Sequence, residues 1–133
     1  MLADWLERSL DGSASAPAQG DIPGGRFRFM GPGLLELTPD APEAETPAVV
    51  LSVGIHGNET APIELLGASL ARLEAGRLRL GSPVLVILGN LEAIRAGARF
   101  VNTNLNRLFR RDLGEDGMEP DRARTLMDAV DAF

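Results

Sequence analysis

Two short stretches of the chain are apolar almost without interruption, and one amphipathic segment lies between them. Residues 48–53 read AVVLSV and residues 83–88 read PVLVIL. A strand wetted on one face alternates apolar and polar residues, so an unbroken apolar run suits a central strand covered on both faces. Between the runs, Ile63, Leu66, Leu70 and Leu73 recur at spacings of three and four. That spacing puts them on one face of a helix over residues 60–74. Pro62 falls in its first turn, where a missing N–H costs little, and Gly76 follows its last turn and can close it. Strand, helix and strand over roughly 40 residues form a βαβ unit, which predicts parallel strands and a right-handed crossover. The fold class is therefore α/β.

The flanking segments are simpler. Asp4 can cap a short helix over residues 5–10. Residues 11–25 are rich in Gly, Ser, Ala and Pro and read as a linker. Residues 26–30 and 34–38 alternate around the turn Gly31-Pro32-Gly33, predicting a hairpin. Residues 38–47 form an acidic, Pro-rich connection. Beyond the second apolar run, Asn90 can cap a helix reaching Arg95, residues 96–105 look irregular, and residues 112–117 are acidic and turn-rich. Residues 120–133 predict a helix with Ala123, Leu126, Met127 and Val130 on one face. The domain reading is an N-terminal helix and linker over 1–25, then one α/β unit over 26–133. A sheet of this kind usually continues with another strand after such a helix. The expectation is thus a sheet incomplete within these residues, with exposed apolar surface and a tendency to self-associate.

Composition narrows the function classes. A net charge of −6 opposes general binding to nucleic acid or to acidic membranes. No apolar run approaches the roughly 20 residues of a membrane span. The first residues carry acids and no basic region, so a secretory signal is not supported. With no cysteine there are neither disulfides nor thiolate metal sites, and a cytoplasmic location is the default. Every basic residue is arginine; with so much Ala, Gly and Pro, a GC-rich coding sequence explains that choice.

Two constellations could carry chemistry. The first, Gly54-Ile55-His56-Gly57-Asn58-Glu59, lies where an apolar strand ends and a helix begins. In open α/β sheets ligands bind outside the carboxyl ends of the strands. An imidazole nitrogen and a carboxylate oxygen are both good Zn²⁺ ligands, and the glycines let the corner turn both groups the same way. The plainer reading is a surface histidine and a glutamate at a helix start. His56 is the sole histidine, so at most two ligands of a catalytic zinc come from this set. The second constellation runs from Ala93 to Arg111, with five arginines (Arg95, Arg99, Arg107, Arg110, Arg111) and no acid. Arginine forks pair with carboxylates bidentately, and Asn106 beside Arg107 adds a neutral donor, so a small anionic substrate would suit them. The alternative is a solvated basic face, salt-bridged to the acidic stretch beginning at Asp112.

GIHGNETAPIELL at 54–66, followed by VILGNLEAIRAGARFVNTNLNRLF at 86–109, resembles the succinylglutamate desuccinylase and aspartoacylase family, related in fold to the zinc carboxypeptidases. The resemblance extends to residues 34–39 and covers most of the chain from about Arg26 onward. The combination of H-G-N-E with a downstream arginine and N-R pair is what makes it specific. It implies a zinc carboxypeptidase-like, mixed and largely parallel sheet with flanking helices. It implies one Zn²⁺ per complete catalytic domain, with His56 and Glu59 as its first two ligands. It further implies Arg99 near the scissile carbonyl, and Asn106 and Arg107 on the substrate's α-carboxylate. The implied reaction is hydrolysis of N-succinylglutamate to succinate and glutamate in arginine catabolism; a different N-acyl amino acid, as for aspartoacylase, is the alternative. A non-catalytic carboxylate-binding domain is the third reading. The family's third zinc ligand, a histidine, and its catalytic glutamate lie further along than Phe133 and have no counterpart here. These residues are therefore expected to be an N-terminal portion, inactive or nearly so alone.

Overall fold

The computed structural model describes residues 2–13 and 19–133. In chain order these form α1 (Trp5–Asp11), β1 (Gln19–Ile22), β2 (Gly25–Gly31), β3 (Leu34–Pro39), β4 (Val49–Val53), α2 (Thr60–Glu74), β5 (Val84–Leu88), α3 (Leu91–Ala96), a 3-10 turn (Leu105–Arg107) and α4 (Met118–Ala132). The strands form one mixed sheet in the order β1-β2-β3-β5-β4. β4 and β5 are parallel, as a crossover through α2 requires. The other neighbours pair antiparallel. Among the described strands, parallel pairing is thus rarer than the largely parallel sheet expected, because short turns rather than crossovers join β1, β2 and β3.

β5 is the centre of the packing. Successive side chains of a strand point to opposite faces. Val86 and Leu88 join one core with Trp5, Phe27, Leu66 and Leu70, beneath α1 and α2. Leu85 and Ile87 join the other with Leu105, Leu108, Ala123 and Leu126, beneath α4 and the 3-10 turn. Both faces of β5 are dry, which is why its sequence shows no alternation. The α2 stripe behaves as its spacing predicts: Ile63, Leu66, Leu70 and Leu73 are all buried. Leu65, off that stripe, is 69% exposed.

Three expectations are corrected. β4 is an edge strand among the described residues, not a central one. Val49, Val50 and Leu51 are 42%, 44% and 43% exposed, and of its residues only Val53 is buried. Its apolar run matches a two-sided environment, but only β5 pairs with it here. Part of the segment read as linker is strand β1, whose QGDI sequence carries no apolar alternation and which is held by backbone pairing to β2; residues 14–18 lie outside the described residues. Asp4 stands at the start of α1, but its side chain makes no cap hydrogen bond. The N–H groups of Leu2 and Ala3 instead donate to the Glu74 carboxylate at 2.9 and 3.0 Å, tying α1 to the end of α2.

Two measurements check this packing. Leu85→Ala is expected to cost about 2–5 kcal/mol in denaturant unfolding; a cost below about 1 kcal/mol would contradict burial on both faces of β5. Leu51→Lys, on the exposed strand, is expected to lower the self-association of the 133-residue chain in light scattering with little effect on its midpoint.

Candidate metal and anion site

The carboxyl ends of β4 and β5 lie side by side, with Val53 opposite Leu88. From β4 the chain turns through residues 54–59 into α2. The corner is pressed onto α3. Gly54 has φ +69°, and a Cβ on Gly57 would lie 2.1 Å from the Ala93 carbonyl carbon, so no side chain fits there.

This turn brings His56 and Glu59 together. His56 is 9% exposed, with Nδ1 3.0 Å from Glu59 Oε1 and Nε2 3.0 Å from Asn104 Oδ1. Asn104 Oδ1 also accepts the Asn106 backbone N–H at 3.0 Å. A backbone N–H only donates, so the Asn104 atom facing the ring is its oxygen, and Nε2–H is the donor to it. Nδ1 then faces a carboxylate. With its other nitrogen engaged by Asn104, the ring presents Nδ1 beside the Glu59 carboxylate, where the two could hold a cation between them. Donors that each sit about 2.0–2.2 Å from one Zn²⁺ can be this far apart, so the pair fits two positions of a zinc site. Among the described residues no three His, Cys, Asp or Glu side chains gather as a metal cluster.

The arginine-rich segment is tied to the same corner. The Gly57 N–H donates to the Arg99 carbonyl at 3.2 Å, and Asn104 meets His56 as described. Within that segment the arginines divide. Arg110 forks onto Asp112 with two bonds of 2.7 Å, and that hydrogen bonding with the guanidinium charge holds the Asp112 carboxyl down to about 2. Arg111 pairs with Asp128 and Asp131, and Arg95 with Glu92 and the carbonyls of Ser9 and Leu10. Of the three, only Arg110 pairs with the acidic stretch beginning at Asp112; Arg111 is paired to α4, and Arg95 to Glu92 and the end of α1. The exposed side chains of Arg99 and Arg107 have no such partner among the described residues. Asn106 is also exposed and lines a groove of about 390 Å³ with Val50, Ile55, Phe109 and Met127. His56, Glu59, Arg99 and Arg107 lie outside that groove.

Sequence reasoning missed the groups that support the segment. Glu119, in the first turn of α4, is 1% exposed. Its carboxylate accepts the N–H groups of Val101 (2.9 Å), Asn102 (2.6 Å) and Thr103 (2.7 Å), and the Asn90 side-chain amide (2.7 Å). Burial pushes the carboxyl up, but the bonds from Thr103, Val101, Asn102 and Asn90 outweigh it and hold the group below its ordinary value. Asn90 caps α3 as expected, accepting from Ala93 N–H. Arg122 donates to the carbonyls of Leu88 (2.6 Å) and Gly89 (2.8 Å) at the end of β5. Burial, with Arg95 nearby, lowers its pKa to about 10, which leaves it charged at neutral pH. A glutamate at a helix start among other acids carries no local signal of such a role.

A sequence profile described as the succinylglutamate desuccinylase/aspartoacylase catalytic domain matches residues 45–133. The chain belongs to this family. The succinylglutamate desuccinylase of Burkholderia lata is 44% identical over 140 residues, covering 100% of this chain and 40% of the relative. Two solved structures of family members superpose on it. Succinylglutamate desuccinylase from Vibrio parahaemolyticus matches with a TM-score of 0.89 at 35% identity, covering 97% of this chain and 38% of that one. The Chromobacterium violaceum enzyme matches with a TM-score of 0.79 at 39% identity, covering 93% and 39%. The chain thus spans about 40% of the length of the curated relatives it matches. Its mixed sheet with flanking helices is the family fold.

Glu119 makes acid stability informative. Its folded-state pKa lies below the ordinary value of 4.5, so its contribution is complete above that value and is lost as pH falls through the folded one. Denaturant midpoints are expected to hold from about pH 7 to about pH 5 on this account and to drop in more acidic buffer. No drop there, or an identical drop in Glu119→Gln, would contradict it. Gly57→Ala is expected to destabilise by about 1–3 kcal/mol through displacement of α3, read by the same unfolding curves.

Proposed function

We propose that the protein built on these residues hydrolyses the amide bond of N-succinylglutamate, releasing succinate and glutamate, at a zinc site to which His56 and Glu59 contribute. The observation that carries this reading is the double tether between the two constellations. One hydrogen bond joins Gly57 to Arg99 and another joins His56 to Asn104, so the corner bearing His56 and Glu59 is tied to the loop bearing Arg99 and Arg107. Zinc held there would act as a Lewis acid and make water nucleophilic at neutral pH. Arg99 would donate to the carbonyl oxygen as negative charge develops on it. Arg107 would fork onto the α-carboxylate with Asn106 beside it, fixing the amide relative to the metal. An N-succinylated glutamate carries several carboxylates, and two arginines without an anionic partner among the described residues suit it.

The reading carries with it a role in arginine catabolism and a cytoplasmic setting. Among the described residues no helix is long and apolar enough to cross a membrane. A second reading, an aspartoacylase-like deacylase of another N-acyl amino acid, is favoured by the family profile, whose description spans both activities.

Glutamate release by the complete protein tests the proposal. N-succinylglutamate is expected to be the preferred substrate, with turnover abolished by chelation and by His56→Ala. Arg99→Ala is expected to lower kcat by about 10²–10³-fold, and Arg107→Ala to act mainly through KM. Preference for N-acetyl substrates would move the assignment to the second reading. Carboxylate binding that is indifferent to zinc, with no turnover of either substrate, would replace both with a binding role. Residues 1–133 alone are expected to show no turnover.

A further inference from the structure

We propose that Glu119 is a positioning residue for this site, its buried carboxylate shaping the backbone of residues 101–103 so that Asn104 meets His56. The inference rests on the metal and anion reading above and adds to it the element that sets the geometry.

The segment between α3 and the 3-10 turn has no regular secondary structure to fix it. Its backbone N–H groups at Val101, Asn102 and Thr103 all turn toward one carboxylate. Three successive amides converging on an anion make a nest, an arrangement that elsewhere cradles bound phosphates or carboxylates. Here the anion is internal. These amides are therefore already occupied, and an anionic ligand must be met by side chains such as Arg99 and Arg107. The next residue along is Asn104, whose oxygen receives both the Asn106 N–H and the His56 ring. The backbone direction imposed at 101–103 thus passes directly to the contact that orients the imidazole. On its other side Glu119 takes the Asn90 amide, and Asn90 caps α3, the helix against which Gly57 is pressed. One carboxylate consequently links the floor of the corner to the loop that faces it.

The test uses the metal-free 133-residue chain, in which His56 is the sole histidine and its ring signals are unambiguous. Backbone amide exchange and the nuclear Overhauser contact between the His56 ring and the Asn104 side-chain amide are measured in the native chain and in Glu119→Gln, which preserves shape and removes the charge. Zinc affinity is measured by calorimetry on the complete protein with and without the same substitution. In the native chain, amides 101–103 are expected to be protected and the ring contact present. In Glu119→Gln, exchange at 101–103 accelerates while β5 stays protected, the ring contact weakens, and zinc affinity falls about tenfold, as for loss of other supporting groups around a metal. Unchanged exchange at 101–103 overturns the proposal. So does a loosened loop with the ring contact intact, because Glu119 would then be only structural. If Glu119→Gln does not fold, Glu119→Asp, with the charge kept and the reach shortened, gives the same readings. Unprotected amides at 101–103 in the native chain also overturn it. A complete protein that binds no zinc, with exchange and ring contact in the 133-residue chain responding to the substitution as expected, sinks the metal reading and leaves the positioning role standing.

Discussion

β5 has no side that faces water, and the arrangement at its carboxyl end follows from that. Its residues alternate between a core under α1 and α2 and a core under α4, so helices must cover both faces. Parallel pairing with β4 then brings two strand ends to the same edge. The Gly89 and Asn90 N–H groups donate to the Val53 and Gly54 carbonyls, joining the turn after β5 to the corner after β4. Arg122 takes the carbonyls of Leu88 and Gly89 from the α4 side. The candidate site grows from this joint, with His56 and Glu59 on one branch and Asn90 on the other.

Around that joint the polar groups are matched to one another. A buried carboxylate is costly unless its lone pairs are used, and a partly satisfied network is worse than none. Glu119 uses both oxygens on N–H donors, and Asn90 both donates and accepts. The contrast is at α1, where Trp5 Nε1 and Ser9 Oγ are buried without a hydrogen-bond partner among the described residues. The better-satisfied region is the one that holds the metal-ligand candidates.

Much of this was legible in the amino-acid order, and the illegible parts share a cause. The α2 stripe, the hairpin of β2 and β3 and the Asn90 cap rest on spacings of a few residues, so periodicity reports them, and the unbroken apolar run of β5 reports two covered faces without naming what covers them. The approach of His56 to Glu59 is likewise local. β1 is held by backbone bonds that leave no side-chain pattern, and the edge position of β4 depends on which strands flank it. The arginine cluster shows the same limit. Charge spacing identified a positive segment, but Arg111 is neutralised by Asp128 and Asp131, 17 and 20 residues away. Asn104 reaches His56 across 48 residues and Glu119 reaches Thr103 across 16, and neither pairing has a signature in sequence.

The packing of the corner also bears on how this scaffold could diversify. Gly57 sits against the carbonyl of Ala93, and an added Cβ at Gly89 would fall 2.7 Å from the Ile55 side chain. Positions this crowded offer almost no accessible substitutions. A lineage adapting to a different ligand would leave the hinge between strand and helix untouched and vary residues around it. The corner would then act as an inherited fixture, and the novelty would accumulate in surfaces with room for a side chain to change size.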